Sequence, residues 1–528
     1  MSEHEFDILI IGSGAAGCVI AGHLAEKTKA KIIVLEAGSR DKDPLIHIPA
    51  GYGRILAKDH HVWPYDTIPQ HGTTRRFRMG KVVGGGSSIN AMCYVRGQKR
   101  DFDSWYQASG RDGDWSFENI WKTFIEQEKS DTFHNKHHGI DGSLAVQLPH
   151  GINTLNQYCL KAFQEYGLPY NPDYNGDTQI GVSPVQSNVS DGKRCSAYVA
   201  HLRRHVDSGR VTLQTDTVVR RILFKGNKAV GVETGDGTRL MAKNVIVSAG
   251  AVQTPKILMH SGIGPADHLQ KFGIQPLVNL PGVGENLHDH PIIPVSAYVR
   301  GTLGYQSAAS GAGALKAGMR YYLTKDGPAS GNGIETVSYW DPQDFSAEPT
   351  VQCYHEPIIS DNGLTPTGTR SGITFALVVL QPRSRGSVRL GSRDPLAMPL
   401  IDPKFIDDKY DLEVGIQAVK AIRKVMSHNS LARVLEEEAM PGPAVQSDEQ
   451  IGEFVKRVAT TMWHPVGTCR MGSDEMSVVD ADLKVKQTEN LYVMDASVMP
   501  NITSGNTNAP TQALALIGAK RLVKRLSA

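Results

Sequence analysis

The segment Thr461-Met-Trp-His-Pro-Val-Gly-Thr-Cys-Arg-Met-Gly472 sets a histidine directly before a proline. That proline biases His464 towards extended backbone and away from a helix. An imidazole fixed at a strand end, with an ordinary pKa of about 6.5, is what a general base requires. The alternative for this segment alone is a structural histidine capping a turn. A second reactive piece is Ser504-Gly-Asn-Thr-Asn-Ala-Pro-Thr511, just ahead of a helical, apolar stretch. Asn508 offers both a donor and an acceptor, so beside His464 it would hold a substrate hydroxyl while the imidazole removes the proton. A helix beginning near Ala509 would aim its positive end at a developing negative charge.

Chemistry of this kind needs a cofactor or an acceptor, and the N-terminus supplies a candidate. Asp7–Ile11 is a short, β-branched apolar run that breaks at Gly12-Ser-Gly-Ala-Ala-Gly17, after which small apolar residues recur at helical spacing to about Lys27. Gly12 permits the strand-to-helix turn, Gly14 lets a pyrophosphate approach the backbone, and Gly17 lets helix and strand pack closely. A second apolar strand, Lys31–Leu35, ends at Glu36, where a carboxylate accepts hydrogen bonds from an adenosine ribose. A lone glycine fingerprint is weak, but strand, turn, helix, strand and acid here fall in order.

Gly84-Gly-Gly-Ser-Ser-Ile-Asn90 is flanked by apolar runs, which predicts a buried loop set against a flat, polar-edged ligand. His134, His137 and His138 lie in a polar, Gly-flanked stretch that reads as solvated, and His288-Asp-His290 lies in a turn-rich connection. Neither has a matching ligand set at zinc spacing, so no metal is expected. The six cysteines (Cys18, Cys93, Cys159, Cys195, Cys353 and Cys469) form no CxxC pair and read as buried free thiols.

The 528 residues are too many for one simple core. A formal charge of +2, with no long basic block, gives no reason to expect nucleic-acid binding. No basic n-region with an apolar core precedes the first strand, and no apolar run approaches a membrane span, so a soluble, cytoplasmic protein without an integral membrane segment is expected.

Arg210–Leu223 and Lys228–Val232 alternate as strands, and Asn244–Ala249 is an apolar strand leading into a helix over Gln253–His260. The stretch from about 296 to 460 carries alternating strands (Ile373–Leu380, Gly386–Leu390) and amphipathic helices (Asp411–Ser427, Asp448–Thr460) without a glycine fingerprint. It reads as a second, substrate-facing domain. Apolar strand character returns at Leu491–Asp495, and Ala509–Leu526 forms a final helix with Pro510 in its first turn.

With these pieces in place, the chain resembles the glucose–methanol–choline (GMC) oxidoreductases over essentially its whole length. The resemblance is carried by GSGAAG with Glu36, GGGSSIN at 84–90, GAVQTPKILMHSGIG at 250–264, PGVGENLHDH at 281–290, SRGSVRLGSRDP at 384–395, HPVGTCRMG at 464–472 and GNTNAPT at 505–511. It implies an α/β fold with a Rossmann-like FAD-binding domain built from discontinuous segments (1–150, 190–295 and 461–528). An α+β substrate domain (151–189 and 296–460) would carry a large, mostly antiparallel sheet. It also implies oxidation of a primary alcohol to the aldehyde, with His464 as base, Asn508 as its partner, and hydride transfer to FAD.

Around that FAD the resemblance sets Gly12, Gly14, Gly17, Glu36, Gly84, Ser88, Asn90, Val219, Asp495 and Asn508. Some relatives bond the flavin through a histidine in the Gly-rich segment; Ile89 stands there in this chain, so FAD is expected to be non-covalent. Asp43–Pro49 and Gly167–Gly176 echo L-sorbose dehydrogenases, and Asp474–Asp480 is similar to these and to bacterial choline dehydrogenases alike. Glu335 matches the region where choline enzymes place a carboxylate, though a sugar hydroxyl or a salt bridge would suit it as well. The expected partners are an alcohol such as a polyol, and a quinone or other electron acceptor. An oxidase or choline dehydrogenase of the same family, a cyanohydrin lyase and a non-catalytic FAD-binding protein are the alternatives.

Overall fold

Two sheets divide the chain. The computed structural model describes residues 5–309, 311–360 and 366–527. The first sheet has a parallel core in the spatial order Val211–Gln214, Ile32–Leu35, Phe6–Ile11, Arg239–Val247, Leu491–Val493. Ile8–Ile11, Ile32–Leu35 and Leu491–Val493 are buried along their whole length, as inner strands of a parallel sheet are. Lys228–Thr234 pairs antiparallel with Arg239–Val247, and Val219–Lys225 pairs antiparallel with Lys228–Thr234 in turn. Residues from three distant stretches of the chain therefore build one sheet. The helix Ala15–Lys27 packs against the C-terminal helix Asn508–Ser527, so the glycine turn at the start of one lies near the reactive start of the other.

The second sheet is antiparallel throughout, in the order Leu435–Met440, Pro291–Val299, Gly372–Val379, Val351–Glu356, Thr336–Trp340, Gly181–Pro184. One face packs on the helices Thr154–Glu165, Lys409–Ser427 and Asp448–Val458 through an apolar core. The other face carries Gln352, Tyr354 and Glu356 towards the first sheet's loops.

Most expected elements are found within a few residues of their predicted limits. One boundary is corrected: Pro291–Val299 lies wholly in the second sheet, so the expected division at 295/296 cuts a strand and the sheets part near His290. The short strand Thr460–Thr461 pairs with Pro291 and Ile292, which brings residues 288–290 beside residues 462–464. A second correction concerns His138. It is buried, with its ring between Glu128 (3.1 Å) and Asp173 (2.9 Å), inside a network that includes the buried Arg96–Glu128 pair at 2.7 Å. All six cysteines are free and buried. No helix among the described residues is long and apolar enough to cross a membrane.

Candidate active site

The glycine turn is shaped by contacts that leave no room for side chains. Gly12 has φ of +96°, and a Cβ added at Gly17 would sit 2.0 Å from the Gly12 carbonyl oxygen. The buried GGGSS loop is a turn of 3-10 helix that docks directly on it: Gly84 N donates to Ser13 O (2.8 Å), and a Cβ at Gly85 would lie 2.7 Å from Gly14 Cα. A Cβ at Gly14 or Gly86, by contrast, meets nothing. Both glycines face a cleft enclosing about 1860 Å³ of atom-free space, part of it open to solvent.

Along one wall of this cleft, Glu36 is buried, and burial pushes its carboxyl upward. It accepts from Ser13 N (2.9 Å), Ser13 Oγ (2.8 Å) and Gly38 N (2.8 Å). A carboxylate has roughly four acceptor sites, so one remains for a ribose hydroxyl. Val219 lines the same end, beside Thr217, whose N–H donates to the Glu36 carbonyl. Asn90 lines the cleft further on, its Oδ1 held by Arg194 (2.7 Å) and Met92 N (3.0 Å). Asp495 caps the start of the helix Gly250–His260 through Gly250 N (2.8 Å) and Thr254 Oγ1 (2.6 Å).

Three of the expected cofactor residues act behind the wall. Gly17 permits close packing, Gly84 takes the left-handed turn with φ of +89°, and Ser88 is buried with its hydroxyl on Val83 O (2.7 Å). A long cleft with a bare-backbone phosphate turn, a ribose-type carboxylate and a second glycine loop fits FAD.

At the far end lies His464. It follows Trp463, a bulky residue held at φ of +58°, a conformation that costs on the order of 1–3 kcal/mol. The turn is fastened by Asp289, whose carboxylate accepts from His464 N (2.9 Å) and from the Thr461 hydroxyl, while Trp463 N donates to Thr461 Oγ1 (2.7 Å). The pairing of Thr461 with Pro291 then sets His290 against His464, with their Nδ1 atoms 2.9 Å apart.

Proton positions follow from this relay. His290 Nε2 lies 2.9 Å from the Leu380 carbonyl and must carry a hydrogen to bond it. Burial holds the His290 pKa down to about 4, so the ring is neutral and its Nδ1 is bare. His464 Nδ1 must therefore be the donor between the two rings, which leaves the lone pair on His464 Nε2. Asn506 Nδ2 approaches that nitrogen at 3.3 Å. The Asn506 amide is oriented by Tyr354 OH (2.5 Å) and Gln352 Nε2 (3.4 Å), both on its Oδ1. Burial and the neighbouring His290 hold the His464 pKa well below its usual range.

Two expected assignments change. Asn508 lines the cleft, but its amide turns to Asn188 (3.5 Å), and Asn506 takes the place beside His464. Two residues earlier in the chain, Asn506 precedes the final helix instead of starting it, and so reaches across to the second sheet. Glu335 does not line this cleft. It faces a neighbouring cavity, where its carboxylate accepts from Asn153 N (2.6 Å), Asn153 Nδ2 (2.8 Å) and the Tyr305 hydroxyl. Ile334, one residue before it and pointing the other way, lines the cleft instead.

Two sequence models described as GMC oxidoreductase match residues 6–292 and 382–515. The chain belongs to the GMC oxidoreductase family. This GMC oxidoreductase is 35% identical to an alcohol dehydrogenase (acceptor) of Pseudomonas putida, over 99% of its own length and 96% of the relative's. It is 34% identical to an oxygen-dependent choline dehydrogenase of Escherichia coli, covering 96% and 93% of the two chains. Among solved structures, pyridoxine 4-oxidase from Mesorbium loti superposes with a TM-score of 0.88 at 31% identity, over 97% of this chain and 98% of that one. His290, Asp289 and Asn506 were not singled out as site residues in the GMC oxidoreductase sequence. His290 and Asp289 stood inside a motif that suggested metal ligands, and Asn506 stood two residues from an equally suitable asparagine.

Proposed function

We propose that this chain is an FAD-dependent dehydrogenase that oxidises a small primary alcohol, of the polyol or sugar kind, to the aldehyde. The observation that carries this reading is the relay from Leu380 through His290 to His464, which leaves an imidazole lone pair facing the cleft beside an amide donor. FAD would be held, without a covalent bond at Ile89, by the Gly12–Gly17 turn, Glu36, the Gly84–Asn90 loop, Val219 and Asp495. When bound, it supplies a two-electron acceptor for the carbinol hydride.

The residues of the chain do the rest. A substrate hydroxyl entering between His464 Nε2 and Asn506 Nδ2 donates to the first and accepts from the second. The Asn506 contact at 3.3 Å is long for a hydrogen bond, so a bridging oxygen displaces little. As His464 takes the proton, its Nδ1–H stays bonded to His290, and Asn506 steadies the oxygen that is losing its proton. Asn508, at the start of the last helix, would face the FAD from the cleft wall.

A dehydrogenase passing electrons to a quinone or another acceptor is supported by the dehydrogenase relatives. In domain terms, the first sheet and its loops form the cofactor domain and the second sheet the substrate domain. The test is anaerobic flavin absorbance of the FAD-loaded protein mixed with L-sorbose, choline and simple primary and aromatic alcohols. Bleaching by a polyol or primary alcohol is expected, with slow reoxidation in air. Cleavage of a cyanohydrin without bleaching by any alcohol would contradict the reading.

A further inference from the structure

The cleft holds a carboxyl group that proton removal leaves unused. Glu356 is the last residue of the strand Val351–Glu356, is 4% exposed, and lines the cleft. Side chains alternate along a strand, so Gln352, Tyr354 and Glu356 share one face. Cys353 and His355 turn the other way, and His355 is held there by Thr336 (2.9 Å) and Ser338 (3.1 Å). Gln352 and Tyr354 are the two residues that orient Asn506. Glu356 is the next position on that face, about 7 Å further along the strand at ~3.4 Å per residue.

Its surroundings are those of a binding group. Ile292, Ile334 and Met462 line the same cleft, and the buried Tyr52 and Cys93 lie close enough to sense its charge without bonding it. Among the described residues its carboxyl has one partner, the Ser360 hydroxyl on Oε2 at 3.1 Å. Oε1 is left for a ligand. Oε1 is not closed off by protein atoms, so a hydroxyl in the cleft can reach it. Burial also pushes the Glu356 pKa up to about 8, so near neutral pH the group can donate as well as accept.

We propose that Glu356 is the second anchor of the substrate, taking a hydroxyl remote from the carbinol that His464 deprotonates. The inference rests on the alcohol-oxidising reading and narrows it to diols and polyols over plain alkanols. The ~7 Å step from Tyr354, which holds Asn506, to Glu356 suits two hydroxyls on the order of 5–7 Å apart. An ammonium group is the poorer match, since it would require the buried carboxyl to ionise.

The experiment compares kcat/KM for 1,5-pentanediol, 1-pentanol and 5-amino-1-pentanol in the FAD-loaded wild type, Glu356→Leu and Glu356→Gln. The wild type is expected to favour the diol over 1-pentanol by at least ~10-fold, chiefly through KM, the factor that ~1.4 kcal/mol provides. In Glu356→Leu this ratio falls to near one; in Glu356→Gln, which keeps a donor and an acceptor, most of it remains. Because the readout is a ratio within each variant, general damage to the fold cancels. An equal ratio in wild type and Glu356→Leu, or a wild-type preference for the amino alcohol, overturns the inference while the alcohol-oxidising reading stands. Flavin reduction by none of the three overturns both.

Discussion

Replacing His290 by Phe keeps a ring in the same buried space but removes the acceptor for His464 Nδ1–H. The donor is then left without its partner, which costs about 1–3 kcal/mol when buried. That energy now favours the other tautomer, in which the hydrogen sits on Nε2 and the lone pair no longer faces the substrate. Each 1.36 kcal/mol is a factor of ten, so flavin reduction should slow by roughly 5- to 150-fold. The assay is anaerobic stopped-flow absorbance with an alcohol that reduces the wild type, at saturating substrate. FAD content and thermal midpoint report whether the fold survives. His290→Gln, whose side-chain oxygen can accept in the same direction, should recover part of the rate. A His290→Phe enzyme that reduces flavin within twofold of wild type would refute the relay.

Two other outcomes follow from the same geometry. Asn506→Ala should lower the limiting rate of flavin reduction by about 10²-fold, the worth of one donor to a developing oxyanion, while Asn508→Ala should act mainly on FAD affinity; steady titration with FAD and stopped-flow reduction separate the two. On pH, the reaction needs neutral His464, whose pKa is held below its ordinary value. Lowering the pH therefore protonates it late. Flavin reduction at pH 5.5 should keep clearly more than the roughly one tenth of its pH 7.5 value that an ordinary histidine would leave. An acid limb centred near pH 6.5 would contradict this.

What the sequence shows and what it hides divide along physical lines. Strand, glycine turn and acid within about thirty residues report a local fold, so Gly12, Gly14, Gly17 and Glu36 could be read directly. Gly-rich 84–90 could be read as buried from its apolar flanks. His464 stood out because a histidine before proline has a restricted backbone. Its partners did not, because they are set by pairings across the fold. His290 meets His464 only because Thr460–Thr461 pairs with the start of Pro291–Val299, some 170 residues away in sequence. Asn506 and Asn508 are equivalent by composition, and Tyr354 on a distant strand decides between them. Glu335 and Glu356 are likewise both plausible carboxylates until strand direction turns one outwards to Asn153 and Tyr305 and the other into the cleft. His138 misled because its polar neighbours in sequence are not its neighbours in space.

The most direct test of the central claim is anaerobic flavin reduction in His464→Ala. With FAD content equal to wild type, the rate with a reducing alcohol should fall by at least ~10²-fold, the general-base range. A His464→Ala enzyme that binds FAD and is reduced at the wild-type rate would show that His464 is not the base, and the account would fail.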